Sequence, residues 1–125
     1  MDSNWGDRYL SKNQAFDLIS QGRTLELEIG SSEENGFKTF QWLAIEKGRE
    51  DKNRFYLIFH NVFDDRDQGI ESVYNFSYVE PDEIYGKIIK EFTEVSDLKS
   101  YLQEHYSDSL DSFLLEGNMD SVFLR

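Results

Sequence analysis

Cysteine is absent from this chain. Disulfides, thiolate nucleophiles and cysteine-based zinc sites are therefore excluded, and the composition is compatible with a reducing compartment such as the cytoplasm. Long hydrophobic runs are absent too. The stretch around Tyr56-Leu57-Ile58-Phe59 falls far short of the roughly 20 residues that a membrane-spanning helix needs. The N-terminal Met1-Asp2-Ser3-Asn4-Trp5-Gly6-Asp7 has neither a basic stretch nor an apolar one, so no signal peptide is expected. Pro81 is the single proline, and the eight glycines are scattered. That leaves no flexible linker, repeat or phosphate-cradling glycine pattern. A single soluble domain over residues 1–125 is expected, long enough to bury a hydrophobic core.

Basic residues are the other shortage, and it is uneven. Residues 1–62 hold ten acids and eight bases, a net of −2, whereas residues 63–125 hold fifteen acids and five bases, a net of −10. From Glu91 to Asp120, eight acids face one base, Lys99. Such asymmetry speaks to partners rather than to fold. Aromatics, by contrast, are plentiful at 15%, too many for a disordered chain. They fall with β-branched residues in short alternating runs, which favours a sheet.

Ser11-Lys12-Asn13-Gln14 has the form of a capping box, and Ala15, Phe16, Leu18 and Ile19 follow at helical spacing. A helix over about Ser11–Gln21, ended by Gly22, is predicted. Leu25-Glu26-Leu27-Glu28-Ile29 alternates as a strand with one wet face, and Gly30–Gly36 reads as the loop of a hairpin. Phe37–Lys47 is a second strand, with Leu43 and Ile45 on one face and Phe40, Trp42 and Ala44 on the other. Arg54–Phe63 is a third, apolar on both faces and so expected to be covered on both. Ile70–Val79 reads as a fourth strand ended by Pro81, presenting Tyr74, Phe76 and Tyr78 as an aromatic ladder. Residues 84–92 fit a fifth strand better than a helix. Ser96 is placed as the N-cap of a helix to about Tyr106, and Ser109–Leu115 as a second helical piece. The expected fold class is α+β: an N-terminal helix, an antiparallel meander of four to five strands, and C-terminal helices packed on the sheet.

On a wheel of about 100° per residue, Val95, Leu98, Leu102, Tyr106, Leu110 and Phe113 form a core-facing stripe. Glu94, Asp97, Glu104, Asp108 and Asp111 gather opposite. A solvated amphipathic face accounts for exposed charge in general. It does not account for the missing counter-charges. Glu104/Asp108 and Asp108/Asp111 are like-charged neighbours, each costing roughly 0.2–0.5 kcal/mol where an ion pair would gain as much.

Other candidates give weaker signals. Asp64-Asp65-Arg66-Asp67-Gln68-Gly69 departs from the EF-hand pattern at Arg66 and Asn75. It reads as a tight loop whose acids extend the negative surface. His60 is not matched to a serine in a nucleophile-elbow context and reads as a hydrogen-bonded structural histidine. His105 suits a helix C-terminus. No catalytic set, metal site or cofactor site is expected.

Size, acidity, layering and the missing catalytic set share the general character of small immunity proteins and nuclease inhibitors, with no motif that carries a family resemblance. The leading expectation is a cytoplasmic protein that neutralises a basic partner, such as a toxin or nuclease domain, by occlusion. In that role it is an acidic inhibitor or nucleic-acid mimic that itself rejects nucleic acid. Its contacts would be Asp97, Glu104, Asp108 and Asp111, with Asp64, Asp65 and Asp67. The alternatives are a small-ligand or enzymatic domain with a pocket near His60, between sheet and helices, and a homo-oligomer, a homodimer in the simplest case.

Overall fold

A computed structural model describes residues 9–48, 50, 51 and 53–124. The N-terminal stretch Met1–Asp7 lies outside the described residues. The first helix, α1, spans Lys12–Ser20. Its capping box forms in both directions: the Gln14 amide donates to Ser11 Oγ at 3.2 Å, and the Ser11 amide donates to Gln14 Oε1 at 3.0 Å. Ala15, Phe16 and Ile19 turn inward.

Strands β1 (Leu25–Glu34), β2 (Phe37–Lys47) and β3 (Phe55–Phe63) form an antiparallel meander. The loop expected over Gly30–Gly36 is mostly strand. Ser31 to Glu34 pair with Phe40 to Phe37, and only Asn35 and Gly36 make the turn, both at positive φ of 54° and 85°. Asn-Gly is the preferred two-residue hairpin turn because both positions tolerate that conformation. The strand residues before it are polar because this end of the hairpin projects into water.

The expected strand over Ile70–Val79 does not form. Val73–Asn75 is a 3-10 turn, and only Tyr78 bridges to β3, opposite Val62. The outer edge of β3 is taken over most of its length by β4 (Lys87–Phe92), which pairs with Phe55–Phe59. Residues 70–76 instead cross the sheet face, where Val73 and Phe76 are buried. Helix α2 spans Val95–His105, with Glu94 rather than Ser96 in the N-cap position.

The chain then turns through a 3-10 segment at Ser107–Ser109. The helical piece expected to Leu115 is replaced by a short strand, β5 (Phe113–Leu115). It pairs with β1, Phe113 opposite Leu27 and Leu115 opposite Leu25. Alternation decides this: Phe113 enters the core on one sheet face and Leu114 the core on the other. A short helix, α3 (Met119–Phe123), completes the fold. The sheet order is β4-β3-β2-β1-β5, an α+β architecture as expected.

Two cores result. Helices α1 and α2 cover one face, burying Phe16, Ile19, Leu43, Ile45, Leu57, Leu98, Leu102 and Phe113. On the other face α3 and residues 70–76 cover Phe40, Trp42, Val62 and Leu114. That second cover stops short of β4. The face of β3 expected to be covered is thus open near Ile58 and His60, and this gap positions the site described next.

Candidate functional site

Asp97 and Glu104 are exposed on α2, seven residues and so about two turns apart on one side of the helix. Asp97 lies in the first turn, where the helix dipole favours an acid; Glu104 lies in the last, where it does not. Asp108 and Asp111 are also exposed, but on the turn beyond α2, so the single helical face drawn from the wheel is divided by the bend. Among the described residues no Lys or Arg comes within 4.0 Å of these four carboxylates; Glu104 reaches only His105, at 4.0 Å. Lys99, the base on this helix, lies 5.7 Å from the Phe16 ring centroid.

The loop acids behave differently. Asp64 holds Arg66 in a two-pronged pair, Nε to Oδ1 at 2.9 Å and Nη2 to Oδ2 at 2.6 Å. The hydrogen bond from Arg66 holds the Asp64 carboxyl below its ordinary pKa. Asp65 Oδ2 accepts the Ser77 amide at 2.6 Å, pinning the segment that crosses the sheet. With Asp67, Gln68, Phe37 and Phe63 they line a cavity of about 280 Å³. Among the described residues no group of three or more His, Asp or Glu is arranged to hold a metal.

A larger groove, of about 620 Å³, opens where the second cover ends. Its floor is Ile58 and His60 of β3, its sides are Tyr74 and Tyr78, and its far wall is Ile84, Tyr85, Gly86 and Ile88, with Glu46 at one end. It therefore lies on the face away from α1 and α2, not between sheet and those helices. His60 stacks on Trp42 with ring centroids 4.9 Å apart and planes 10° from parallel, and its Nδ1 is 2.7 Å from Tyr78 Oη. Burial pushes the imidazole pKa down to about 4, so the ring is neutral at neutral pH, and its tautomer sets which of Nδ1 and the Tyr78 hydroxyl donates.

Behind Tyr74 lies a buried carboxylate. Glu26 was expected on the wet face of β1 but is 3% exposed. Tyr74 Oη donates to Glu26 Oε1 at 2.6 Å, the Gly117 amide donates to the same oxygen at 2.8 Å, and the Met119 amide donates to Tyr74 Oη at 2.8 Å. Burial raises the Glu26 pKa, and the hydrogen bonds from Tyr74 and Gly117 oppose the rise. Burial and then the Glu26 charge raise the Tyr74 phenol. Trp42 Nε1 is buried without a hydrogen bond among the described residues, and it adds a small effect that favours the charged form of Glu26.

The rim of the groove is unusually apolar for open surface. Tyr85 is 85% exposed, Ile88 56%, Ile84 53% and Tyr74 37%. They are four of the six exposed large hydrophobics among the described residues. The aromatic ladder of Tyr74, Phe76 and Tyr78 is split: Phe76 stacks on Phe40 in the core, with centroids 6.3 Å apart, while the two tyrosines line the groove. The sequence reading missed Ile84, Tyr85 and Ile88 as surface residues. Their signal was an apolar pair, Ile84-Tyr85, held in a turn between Pro81 and Gly86, where a turn has no core to fill. No protein-family model, curated protein or solved structure matches this chain.

Proposed function

We propose that this protein captures a basic protein partner and neutralises it by occlusion, in the manner of an immunity protein or inhibitor of a toxin or nuclease domain. The observation that carries this is the exposure of Asp97, Glu104, Asp108 and Asp111 with no Lys or Arg within 4.0 Å among the described residues. Charge left unpaired at like-charged spacing costs stability and raises the rate of encounter with a cationic surface. The same field rejects nucleic acid, so the chain acts on a nucleic-acid-binding partner by resembling its ligand's charge. The cytoplasm is the compartment that suits a chain without cysteine.

Affinity capture from the native lysate at low and at high salt tests this. A basic protein is expected, with association slowing as salt rises. Capture of nothing basic, or an association rate indifferent to salt, removes the reading.

The groove beside His60 favours a second reading, a small-ligand or enzymatic site. An imidazole with a pKa of about 4 is a weak base at neutral pH. Turnover on a broad substrate panel, with a pH profile set by one histidine that His60→Gln abolishes, would establish it. A second copy of the chain is another occupant for the exposed rim. Light scattering that gives a monomer at micromolar concentration rules it out.

A further inference from the structure

We propose that the protein forms a two-fold dimer by pairing the open edge of β4, antiparallel, with β4 of a second copy. This surface is separate from the acids of α2, and the proposal does not rest on the basic-partner reading.

The two ends of the sheet differ. At one end β5 is met by Leu10, whose amide donates to the Phe113 carbonyl at 2.8 Å. At the other end β4 pairs with β3 alone. Among the described residues its outer edge takes no backbone hydrogen bond. Such an edge is a template for another strand. Sheets commonly guard an edge with lysine or a bulge, and β4 carries Lys87, Lys90 and a register shift opposite Leu57 and Ile58. The shift kinks the strand, so the paired run is short and the surface around it must carry part of the contact.

That surface is apolar. The exposed parts of Ile84, Tyr85 and Ile88 amount to roughly 400 Å² when each side chain is taken at about 200 Å². Two copies bring together roughly 800 Å², and the exposed stems of Lys87, Lys90 and Glu91 carry the total past the approximately 1,000 Å² that a specific interface needs. Ile88 and the turn before it lie on the groove face, so each copy lays its apolar rim against the other's.

Symmetry supplies the charge match. Antiparallel pairing sets the start of each strand beside the end of the other. The start of β4 follows a turn that carries Glu80 and Glu83, and the end carries Lys90. None of these three has an ion pair among the described residues. Both groups lie toward the helical face. Lys90 Nζ is 5.6 Å from the ring centroid of Tyr101 on α2, and Glu80 and Glu83 adjoin Phe59, which packs on the helical core. A two-fold axis normal to the sheet keeps each face on its own side, so Lys90 of each copy meets the acidic turn of the other, twice. The lysine that guards the edge against an unlike strand is answered by this one. The two helical faces, with their acids, then lie on one side of a continuous sheet and the two grooves on the other.

Sedimentation velocity of the full chain between about 1 and 100 μM tests this, with a monomer–dimer equilibrium expected to fall in that range. Amide hydrogen exchange within residues 84–92 is expected to slow as concentration rises. Ile88→Lys, at an exposed position that leaves the core intact, is expected to give a monomer with an unchanged unfolding midpoint. Tyr85→Ala is expected to raise the dimer Kd about ten-fold. Lys90→Glu is expected to raise it too, and Glu80→Lys added to the same chain to recover most of the loss, because each reversed charge again meets its opposite on the second copy. A monomer throughout the range overturns the proposal. So does a dimer whose slowed amides lie outside residues 84–92, or one that Ile88→Lys leaves intact. None of these results bears on the basic-partner reading, which turns on capture at low and high salt.

Discussion

Two titratable residues on the same side of the sheet, Glu26 buried and His60 half-buried, work against each other as pH changes. His60 has its pKa pushed from 6.5 to about 4 by burial. Between those values the unfolded chain binds a proton that the folded chain does not, so stability falls as pH drops through the window. The loss reaches on the order of 2–3 kcal/mol near the lower end. Thermal unfolding of His60→Gln is expected to show a flatter stability profile between about pH 6.5 and 4. A profile as steep as the parent's would contradict it. Glu26 has the opposite sign. Its pKa is raised in the folded state, so over the window above its ordinary value the folded chain holds the extra proton and stability declines with rising pH. Glu26→Gln keeps an acceptor for Tyr74 and Gly117 and removes the charge. Its melting temperature is expected to equal or exceed the parent's at neutral pH, with that decline gone; Glu26→Ala, which strands the Tyr74 hydroxyl and Gly117 amide, is expected to cost about 1–3 kcal/mol. At this scale the sequence was a partial guide. Ser11 and Gln14 named their own hydrogen bonds because both partners are local. Glu26 did not, because alternation along β1 says which residues share a face and not what lies on top of that face.

Elements whose signals are local formed as read, and those whose signals depend on a partner did not. The capping box of α1 and the alternation of β2 and β3 are settled within a dozen residues. The segment 70–79 has strand composition, but the edge of β3 that it needed is largely taken by β4, and its aromatics found a use as a cover instead. Phe113-Leu114-Leu115 fits a helical stripe when read as a continuation of α2, and became β5 because the outer edge of β1 was free to pair. Two turns carry the strictest local demands. Gly36 at φ 85° closes the β1–β2 hairpin, and a β-branched residue there is expected to cost about 1–2 kcal/mol. Gly86→Ala meets both a positive φ and a Cβ 2.5 Å from Ile58. It is expected to lower stability by about 1–3 kcal/mol, seen as a lower midpoint in urea. It is also expected to shift the amide signals of His60 and Ile58, since the turn must lift away from them. Unchanged signals would mean that the turn does not rest on the groove floor.

For the whole molecule, the sheet separates two surfaces: the acids of α2 stand over the helical face, and the groove opens on the other. Reversing Asp97, Glu104, Asp108 and Asp111 to Lys is expected to slow association with a basic partner and to flatten its salt dependence, leaving the unfolding midpoint nearly unchanged because none of the four is buried. Association by the reversed protein at the parent rate, measured in a stopped-flow instrument, would remove these carboxylates from the encounter. Asp64 and Asp65 belong to a different category, since Arg66 and the Ser77 amide already engage them. The α+β class, the first helix, three strands of the meander and the excess of acid were determined by the sequence itself. Periodicity, capping and charge are properties of neighbours along the chain. The position of β5, the burial of Glu26, the split of the aromatic ladder and the groove were decided only by the tertiary structure. Each depends on which sheet edge or face remains open once other segments, distant in sequence, have claimed theirs.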